Sequence, residues 1–531
     1  MTTTYAEAPA AAAVPVASRP RRAPRWPLLV VLALQAVVSV SALRSTAFQD
    51  EALYLYAGRQ IIHHWGGGPV PLDHYAFYFS GYPDVYPVIG GFLDMVGGLE
   101  LARAFSLACM LAVTAIVWSV SRRLFGPVAA IFAAAAYAAT GVVLFVGRLA
   151  TFDALCLLLI AAAAAVAVYG GAAAGRRGLV VAAIGPLLVL AVLAKYAALL
   201  FVPAVLALLV CATMTFRGWR AVLVRVPLVA VAMAASAAVA YRLMDKAALH
   251  AIHGSTTSRV IVLKAARPDL LTNVLQMGGV IFLLALVGLV LVAWHQRRLA
   301  LLAAALFGSS WLAPAYHIYV QESISLDKHI AYALFFAMPL AGYALAWLSG
   351  YGRRLVSSYR GYWLAGLAIV LALFTLGLAQ ARNLYGGWAN TSEISYTLHT
   401  QLRDGSGRIL AEDIEVARFD AMDVTEPWQW NGLRFPYYLN ARHQQFLGNQ
   451  ALAQAIKDRY YDWVELSFNY LPGPAWFAAA QMAATRNYDL IAVILFSNSY
   501  GKGHFYIWRL ALQPGHGNFT SLAQLRTRNW G

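Results

Sequence analysis

The segment Trp26-Pro-Leu-Leu-Val-Val-Leu-Ala-Leu-Gln-Ala-Val-Val-Ser-Val-Ser-Ala-Leu43 is apolar and uncharged, and Phe48-Gln-Asp-Glu-Ala-Leu-Tyr54 follows it closely. Its length approaches the roughly 20 residues that a helix needs to cross a bilayer. Asp50 and Glu51 therefore lie at the edge of a membrane span. Because an ionised carboxylate at the bilayer centre costs about 2.5 to 3.5 kcal/mol, a pair of acids beside a span indicates a function.

The composition of the whole chain agrees with this first segment. Of 531 residues, 60% are hydrophobic and 12% are charged, and the mean hydropathy is +0.61. These values exclude a soluble protein of this length. Apolar runs continue to about residue 380 and predict a polytopic α-helical membrane protein with about eleven transmembrane helices, near residues 26–43, 100–120, 127–146, 150–169, 179–194, 197–214, 221–242, 275–294, 299–315, 331–349 and 361–380.

The basic residues of the membrane part predict its orientation. With the N-terminus in the cytoplasm, one set of arginines falls entirely on the cytoplasmic side, as the positive-inside rule expects: Arg19, Arg21, Arg22, Arg25, Arg122, Arg123, Arg176, Arg177, Arg217, Arg220, Arg225, Arg297, Arg298, Arg353, Arg354 and Arg360. Nearly all acidic residues before residue 381 fall in or beside outer loops. The net charge of +16 thus indicates contact with anionic membrane lipids and not with nucleic acid.

The chain is predicted to have three parts. Residues 1–25 form a disordered cytoplasmic tail, residues 26–380 a transmembrane body with a long first outer loop at 44–99, and residues 381–531 an extracytoplasmic soluble α/β domain. The use of Ala, Val and Arg indicates a bacterial plasma membrane. The α/β assignment rests on β-like runs and one helical stretch, namely Arg408 to Ala411, Trp463 to Phe468, Leu490 to Phe496, His504 to Leu510 and the helical Asn449 to Asp458.

Acids and cations on the outer side suggest one kind of chemistry. Transfer of a sugar from a lipid phosphate to a hydroxyl needs a base for the hydroxyl and cations for the leaving phosphate. Arg148 and Asp153 flank a tight outer connection and are expected to pair or to face one cavity. Lys195 interrupts an apolar stretch, so that it either contacts a substrate or reaches the lipid headgroups.

Several stretches in a fixed order resemble the glycosyltransferase C superfamily, most closely the branch of protein mannosyltransferases and aminoarabinose transferases. The similarity covers roughly the first 200 residues, is looser to about residue 380 and is weak beyond. The stretches are Asp50-Glu-Ala-Leu-Tyr54, Ser80-Gly-Tyr-Pro-Asp-Val-Tyr-Pro87, Gly98-Leu-Glu-Leu-Ala-Arg103, Arg122-Arg-Leu-Phe-Gly126, Arg148 with Asp153, and Ala194-Lys195-Tyr196.

The resemblance implies a body of the glycosyltransferase C type and an inverting transfer from a polyprenyl-phosphate sugar donor to a lipid, glycan or protein acceptor. Asp50 would be the catalytic base, with Glu51 beside it and Asp153 as a second acid in the cavity. The remaining assignments are donor-phosphate contacts from Lys195, Arg148, Arg259, Arg267 and Lys328, and substrate contacts from Tyr54, Tyr82, Tyr86 and His329.

Three alternatives remain open at this point. Asp50 and Glu51 could be structural, in salt bridges to Arg44 or Arg59. A divalent cation, Mg²⁺ or Mn²⁺, could be bound by Asp50, Glu51 and Asp153. A transporter or flippase of a lipid-linked substrate would also have many spans, although no inverted repeat and no ionisable residue deep in a span is apparent.

Where aminoarabinose transferases typically have a lysine-proline pair in the first outer loop, this chain has Asp84-Val-Tyr-Pro87. The departure leaves both phosphate binding by this loop and the identity of the sugar open.

Overall fold

The structure is a computed structural model that describes residues 25–41, 43–244, 246–256, 264–350, 359–402, 407–519 and 521–529. The predicted tail, apart from Arg25, and the predicted phosphate ligand Arg259 lie outside the described residues. The helices are α1 Trp26–Val40, α2 Gln49–Trp65, α3 Tyr86–Phe125, α4 Pro127–Ala139, α5 Gly141–Val146, α6 Phe152–Ala172, α7 Ile184–Ala194, α8 Val202–Arg217, α9 Trp219–Leu243, α10 Lys246–Ser255, α11 Arg267–His295, α12 Ala300–Ser310, α13 Leu312–Val320, α14 Leu326–Leu348, α15 Tyr359–Tyr385, α16 Ser392–Gln401, α17 Ile414–Asp420, α18 Gly448–Lys457, α19 Pro472–Thr485 and α20 Leu522–Asn529.

The helical body has the character of a membrane domain. Within the described residues, nine helical segments are long and apolar enough to cross a bilayer, and α1 and α4 are shorter apolar helices. Every predicted span overlaps one of these helices. The predicted class, a mostly helical membrane protein with a C-terminal α/β region, is therefore confirmed.

The first outer segment contains more helix than expected. Within the loop predicted at 44–99, α2 forms a helix of 17 residues, and Asp50 and Glu51 fall in its first turn. The loop predicted to continue to residue 99 ends instead at Tyr86, where α3 begins. A break in α3 at Gly97 and Gly98 separates its outer part from the predicted span. Gly98 has φ 69°, a conformation that glycine adopts without steric cost.

Helix α14 lies at the centre of the body. It packs against α4 and α11 and is buried along most of its length. The backbones approach closely, because a Cβ atom added to Gly342 would lie 2.4 Å from the carbonyl oxygen of Ala129. Small residues commonly allow such packing between membrane helices. The first turn of α14, which carries Lys328 and His329, is therefore held on a rigid support.

The C-terminal α/β region contains two sheets. The larger has the order β2-β1-β5-β7-β6, in which β1 is parallel to β2 and β5, while β7 is antiparallel to β5 and β6. The predicted runs at 408–411, 463–468, 490–496 and 504–510 are all confirmed as strands. The strands are β1 Ile409–Ala411, β2 Trp430–Gly432, β3 Tyr437–Leu439, β4 Gln445–Leu447, β5 Trp463–Leu466, β6 Tyr488–Asn498 and β7 Gly501–Leu510.

Helix α17 docks this region directly on α2. Val416 and Phe419 pack in one apolar cluster with Leu55 and Tyr56. Arg418 donates to Asp73 of the first outer segment at 2.6 Å, and its guanidinium lies 4.3 Å from the centre of the Tyr56 ring. Burial alone would lower the pKa of Arg418, but Asp73 and the nearby tyrosines outweigh it and raise that pKa. The helix that bears Asp50 thus depends on the C-terminal region for its packing.

The variant Arg418→Leu is expected to loosen this docking. Removal of one partner from a largely buried charge pair costs on the order of 2 kcal/mol, since the other charge stays behind without compensation. Amide hydrogen exchange in α2 and α17 should become about tenfold faster or more. The control Arg442→Leu, at an exposed arginine of the same region, should leave both rates unchanged. Equal exchange in wild type and Arg418→Leu would contradict the assigned role.

Candidate active site

Glu51 is held in a fully buried pair with Arg103. Arg103 donates from Nε to Oε1 at 2.8 Å and from Nη2 to Oε2 at 2.5 Å, and both side chains are inaccessible to solvent. The same carboxylate accepts the backbone N–H groups of Phe48 at 2.9 Å and Ala150 at 2.6 Å. The contact with Phe48 closes the N-terminus of α2, as the glutamate of a capping box does. All the bonds that Glu51 makes are thus internal.

Arg103 also organises the chain that leads into α2. Its guanidinium donates to the carbonyl oxygens of Leu43, Ser45 and Thr46 at 2.7–2.9 Å. The sequence assigned Glu51 to catalysis, whereas this geometry favours a positioning role. The salt bridges suggested from Asp50 and Glu51 to Arg44 or Arg59 are not found among the described residues. Arg44 pairs with Glu100 and Arg59 with Asp94.

Asp50 is the first member of a chain of alternating charges. Lys328 donates to Oδ2 of Asp50, and its Nζ lies 3.9 Å from Oδ2 of Asp153. Lys195 donates to the other oxygen of Asp153 at 2.5 Å. Asp153 is fully buried, whereas the Asp50 side chain is 41% exposed. Among the carboxylates of this described network, Asp50 is therefore the one that an external hydroxyl can reach.

Asp153 is fixed by further contacts. Thr151 donates to its Oδ2 at 3.1 Å, and the hydroxyl of Tyr332 donates to its backbone carbonyl at 2.9 Å. The predicted pairing of Asp153 with Arg148 is not found among the described contacts. Arg148 instead donates to the carbonyl of Val38 in α1 at 2.9 Å, so that it stabilises helix packing and not the site.

Lys195 reaches this network because the helical path of the chain is interrupted between α7 and α8. Helix α7 ends at Ala194, and Lys195 itself is extended, with φ −153° and ψ 123°. Its neighbour Tyr196 donates its backbone N–H to the carbonyl of Ser80 at 2.7 Å, and Tyr82 donates to the carbonyl of Leu193 at 2.7 Å. The first outer segment thus holds the break open and sets the direction of the lysine.

A cavity of about 250 Å³ begins at Lys195. Its wall contains both polar and apolar side chains, and Leu199 and Ile324 are more than half exposed. We name it the donor-side cavity. It is lined by Ser80, Lys195, Tyr196, Ala197, Leu199, Leu200, Phe201, Thr256, Tyr316, His317, Glu322, Ile324, Ser325 and His329.

Two histidines of the donor-side cavity orient each other. Nδ1 of His317 lies 2.6 Å from the carbonyl oxygen of Glu322, so that it must carry the proton. Nε2 of His317 lies 2.8 Å from Nδ1 of His329. When His317 is neutral, its Nε2 can only accept, and His329 then donates through Nδ1. The predicted substrate residue His329 is therefore fixed in orientation beside Lys195.

The predicted tyrosines differ in their placement. Tyr54 and Tyr86 are buried in an aromatic cluster with Phe79 and Phe152, the residue next to Asp153. Burial, together with Asp50 and Asp153, raises the pKa of Tyr54 well above its usual range. Tyr82 is half-buried at the helix break. Direct substrate contact by Tyr54 or Tyr86 is therefore not supported by their positions.

The other predicted cation, Arg267, is exposed at the start of α11 and makes no ion pair among the described residues. It does not line the donor-side cavity. Lys195 and Lys328 are thus the two predicted phosphate ligands that the structure brings together.

A second cavity, of about 560 Å³, lies between the body and the C-terminal region. We name it the interdomain cavity. Ala47 and Asp327 on its wall belong to the segments that carry Asp50 and Lys328. Gln49 donates to Tyr470, another wall residue, which joins the start of α2 to the C-terminal region. It is lined by Ala47, Phe145, Asp327, Asn383, Leu384, Gly387, Trp388, Ala389, Thr391, Asp413, Val416, Ser467, Asn469, Tyr470, Phe496, Tyr500 and Phe505.

The residues do not fit the divalent-cation alternative. Within the described part of the chain, no group of three or more His, Cys, Asp or Glu side chains is placed to hold a metal ion. Glu51 is occupied by Arg103 and two backbone amides, and Asp153 by Lys195 and Thr151. The positive charge beside Asp50 is instead supplied by lysine.

Sequence reasoning missed Arg103 and His317 as members of the site. Arg103 lies inside a predicted span, and an ionisable residue there was the available signal. Arg103 lies near the end of the predicted span 100–120, and only the structure shows that it is completely buried in α3. Nothing local distinguishes His317, since its role depends on a turn that brings His329 back to it.

A family model indicates which class of protein the chain resembles. The family model for dolichyl-phosphate-mannose-protein mannosyltransferase matches residues 88–242. That stretch contains Arg103, Asp153 and Lys195. No curated protein sequence matches the chain.

Solved structures of individual proteins also resemble this chain. ArnT from Cupriavidus metallidurans bound to undecaprenyl phosphate matches with a TM-score of 0.57 at 14% identity, over 91% of this chain and 98% of that one. The oligosaccharyltransferase AglB from Archaeoglobus fulgidus, in complex with an inhibitory peptide and a dolichol-phosphate, matches with a TM-score of 0.55 at 14% identity, over 90% and 74%. The arabinofuranosyltransferase AftD from Mycobacteria matches with a TM-score of 0.50 at 12% identity, over 92% of this chain and 40% of that longer one. The chain thus shares the fold of these proteins, and the predicted resemblance to protein mannosyltransferases and aminoarabinose transferases is confirmed.

Proposed function

We propose that the protein is a membrane glycosyltransferase that moves a sugar from a polyprenyl-phosphate donor to a hydroxyl acceptor, with Asp50 as the base. The observation that carries this proposal is the position of the charge network. It has the donor-side cavity next to Lys195 and the interdomain cavity next to the segments of Asp50 and Lys328. Two substrates can therefore approach the same few side chains from different directions.

The donor-side cavity suits a lipid phosphate. Lys195 offers its ammonium group to a phosphate, and Leu199, Leu200 and Phe201 offer apolar surface to the chain attached to it. Donors of this kind hold the charge that develops on a leaving phosphate. The relatives with undecaprenyl phosphate and dolichol-phosphate in their structures support a carrier of this class.

Lys195→Met is expected to weaken donor binding. A charge-assisted hydrogen bond contributes about 1.5–3 kcal/mol, which corresponds to a loss of about 10- to 100-fold in affinity for polyprenyl phosphate. Binding to the purified protein in nanodiscs measures the change. Lys264→Met removes an exposed lysine of the outer side and should have no effect. Unchanged affinity in Lys195→Met would place the phosphate elsewhere.

The reaction follows from the accessible carboxylate. Asp50 accepts the proton of the acceptor hydroxyl while the oxygen attacks the anomeric carbon of the donor sugar. The bond between that carbon and the phosphate oxygen breaks, and its electron pair leaves with the phosphate, near Lys195. A single displacement inverts the anomeric configuration. Lys328 lies between Asp50 and Asp153 and so orients the base.

The cellular setting is inferred from the composition and the charge distribution of the sequence. We propose a multi-pass protein of the bacterial plasma membrane, with the N-terminus in the cytoplasm and the C-terminal region outside. The transfer then takes place on the outer face, where the acceptor is a lipid, a glycan or a protein. Surrounding lipids contact the apolar helices.

The proposal is tested by reconstitution of the full chain with radiolabelled polyprenyl-phosphate sugars, hexoses and pentoses in parallel. Release or transfer of the label in the presence of hydroxyl acceptors is the expected result. Inversion is read from the anomeric configuration of the product. Binding of a donor with no release under any condition would contradict a transferase and would favour a transporter or flippase.

A further inference from the structure

The two cavities beside the charge network differ in chemical character. The donor-side cavity contains Lys195, two histidines and one acid, Glu322, whose backbone carbonyl accepts from His317. The interdomain cavity contains the carboxylates of Asp327 and Asp413, and none of its described wall residues is Lys, Arg or His. We propose that the interdomain cavity binds an uncharged, hydroxyl-rich glycan as the acceptor and excludes phosphorylated or otherwise anionic acceptors. This inference rests on the proposed function and specifies the acceptor.

Carboxyl groups are concentrated at and behind this wall. Burial, together with Glu415 and Glu465, raises the pKa of Asp413 well above its usual range. The same electrostatic field that opposes ionisation of Asp413 opposes the entry of an anionic ligand. Like charges placed against an unwanted partner are a common source of specificity. A phosphate-bearing acceptor would therefore be rejected here, while a neutral hydroxyl would not.

The cavity offers polar atoms that suit hydroxyl groups. Oδ1 of Asp413 is buried and has no hydrogen-bond partner among the described residues. A buried acceptor in this condition costs free energy until a donor meets it, and a sugar hydroxyl is such a donor. Asn383, Asn469 and Ser467 add amide and hydroxyl groups that both donate and accept.

The wall formed by residues 467–471 is rigid. The carboxylate of Glu412 accepts the backbone N–H groups of Ser467, Phe468, Tyr470 and Leu471 at 2.6–2.8 Å. This segment follows β5, and Asp413 lies just beyond β1, at the carboxyl ends of two parallel strands. Ligands of open α/β sheets commonly bind at this edge. The polar groups are thus pre-organised and not assembled by the ligand.

Aromatic rings complete the match to a sugar. Trp388 and Tyr470, whose ring centres are 6.4 Å apart, both line the cavity, and Tyr500 is exposed at its margin. Aromatic faces pack against the C–H faces of sugar rings, and the polar tip of tyrosine remains available for hydrogen bonds. The volume of about 560 Å³ is within the range of about 300–1,000 Å³ for ligand pockets.

The test measures binding before turnover. Full-length protein in nanodiscs, without donor, is titrated with a neutral hexose disaccharide, with its phosphate ester and with a serine-containing peptide of similar size. The neutral disaccharide is expected to bind at least tenfold more tightly than the other two. Asp413→Ala, which removes the Oδ1 acceptor, should weaken its binding about tenfold, whereas Asp423→Ala, at an exposed acid of the same region outside the cavity, should not. Asn469→Lys should reduce the discrimination against the phosphate ester.

Preferred binding of the phosphate ester, preferred binding of the peptide, or binding of none of the three overturns the inference. Because donor is absent, these outcomes do not depend on sugar transfer. A separate assay of label release from the donor then tests the proposed function. Transfer to a phosphorylated acceptor would overturn only the acceptor class, while neutral-glycan binding without release from any donor would overturn only the transferase.

Discussion

Replacement of Asp50 by asparagine is expected to lower the rate of sugar transfer by about 10²- to 10⁴-fold, the usual contribution of a positioned general base. Asparagine keeps the shape of the side chain but cannot take the proton of the acceptor hydroxyl. Lys328 retains Asp153 as a neighbour at 3.9 Å, so that the surrounding structure should persist. The loss should therefore appear in kcat, with donor affinity within a few fold of wild type.

The matched control is Glu100→Gln. Glu100 is an acid with an exposed side chain 3.9 Å from an exposed arginine, and surface pairs of this kind contribute little. Its turnover should equal that of wild type. Equal turnover in Asp50→Asn and wild type would mean that another residue is the base. Donor binding without turnover in both wild type and variant would contradict the proposal that the protein is a transferase.

Arg103→Leu is expected to destabilise the protein by about 3–5 kcal/mol, because it leaves the Glu51 carboxylate buried without a counter-charge. It also removes the donors that hold residues 43–46 at the entrance to α2. Thermal unfolding in detergent measures the loss of stability. Hydrogen exchange at residues 43–51 should increase, and transfer should fall because Asp50 is displaced.

The double variant Arg103→Leu with Glu51→Leu separates charge from packing. When both charges are removed, a large part of the stability should return, since a buried pair is often replaceable by apolar side chains. Arg44→Ala, at an exposed position on the same segment, should change stability by less than about 0.5 kcal/mol. A single variant as stable as wild type would show that the pair is not structural.

Much of the architecture could be predicted from local patterns. Span positions follow from the free energy of transferring apolar side chains into lipid, which is a property of each segment on its own. The α/β region was indicated in the same way by β-like runs such as 490–496. The prediction that Asp50 and Lys195 have a function has a similar basis, because charges beside apolar segments are costly wherever the chain folds.

The roles within the site could not be predicted in this way. Asp50 and Glu51 are adjacent in sequence and chemically alike, yet successive residues of a helix point in directions about 100° apart. One therefore faces Lys328 and solvent, and the other faces Arg103 in the interior. Local sequence contains no information about which partner α3 or α14 will supply.

The sequence alone was sufficient for the membrane class, the approximate spans, the α/β region and the acids and cations from which a site could be built. Tertiary packing decided that Lys328 and not Arg148 meets these acids, that Tyr54 and Tyr86 support the site from within, and that the C-terminal region closes a second cavity over it. The physical reason is the range of the interactions. Hydrophobic transfer acts on each segment separately, whereas an ion pair needs two groups within about 4 Å, and helices distant in sequence bring them together.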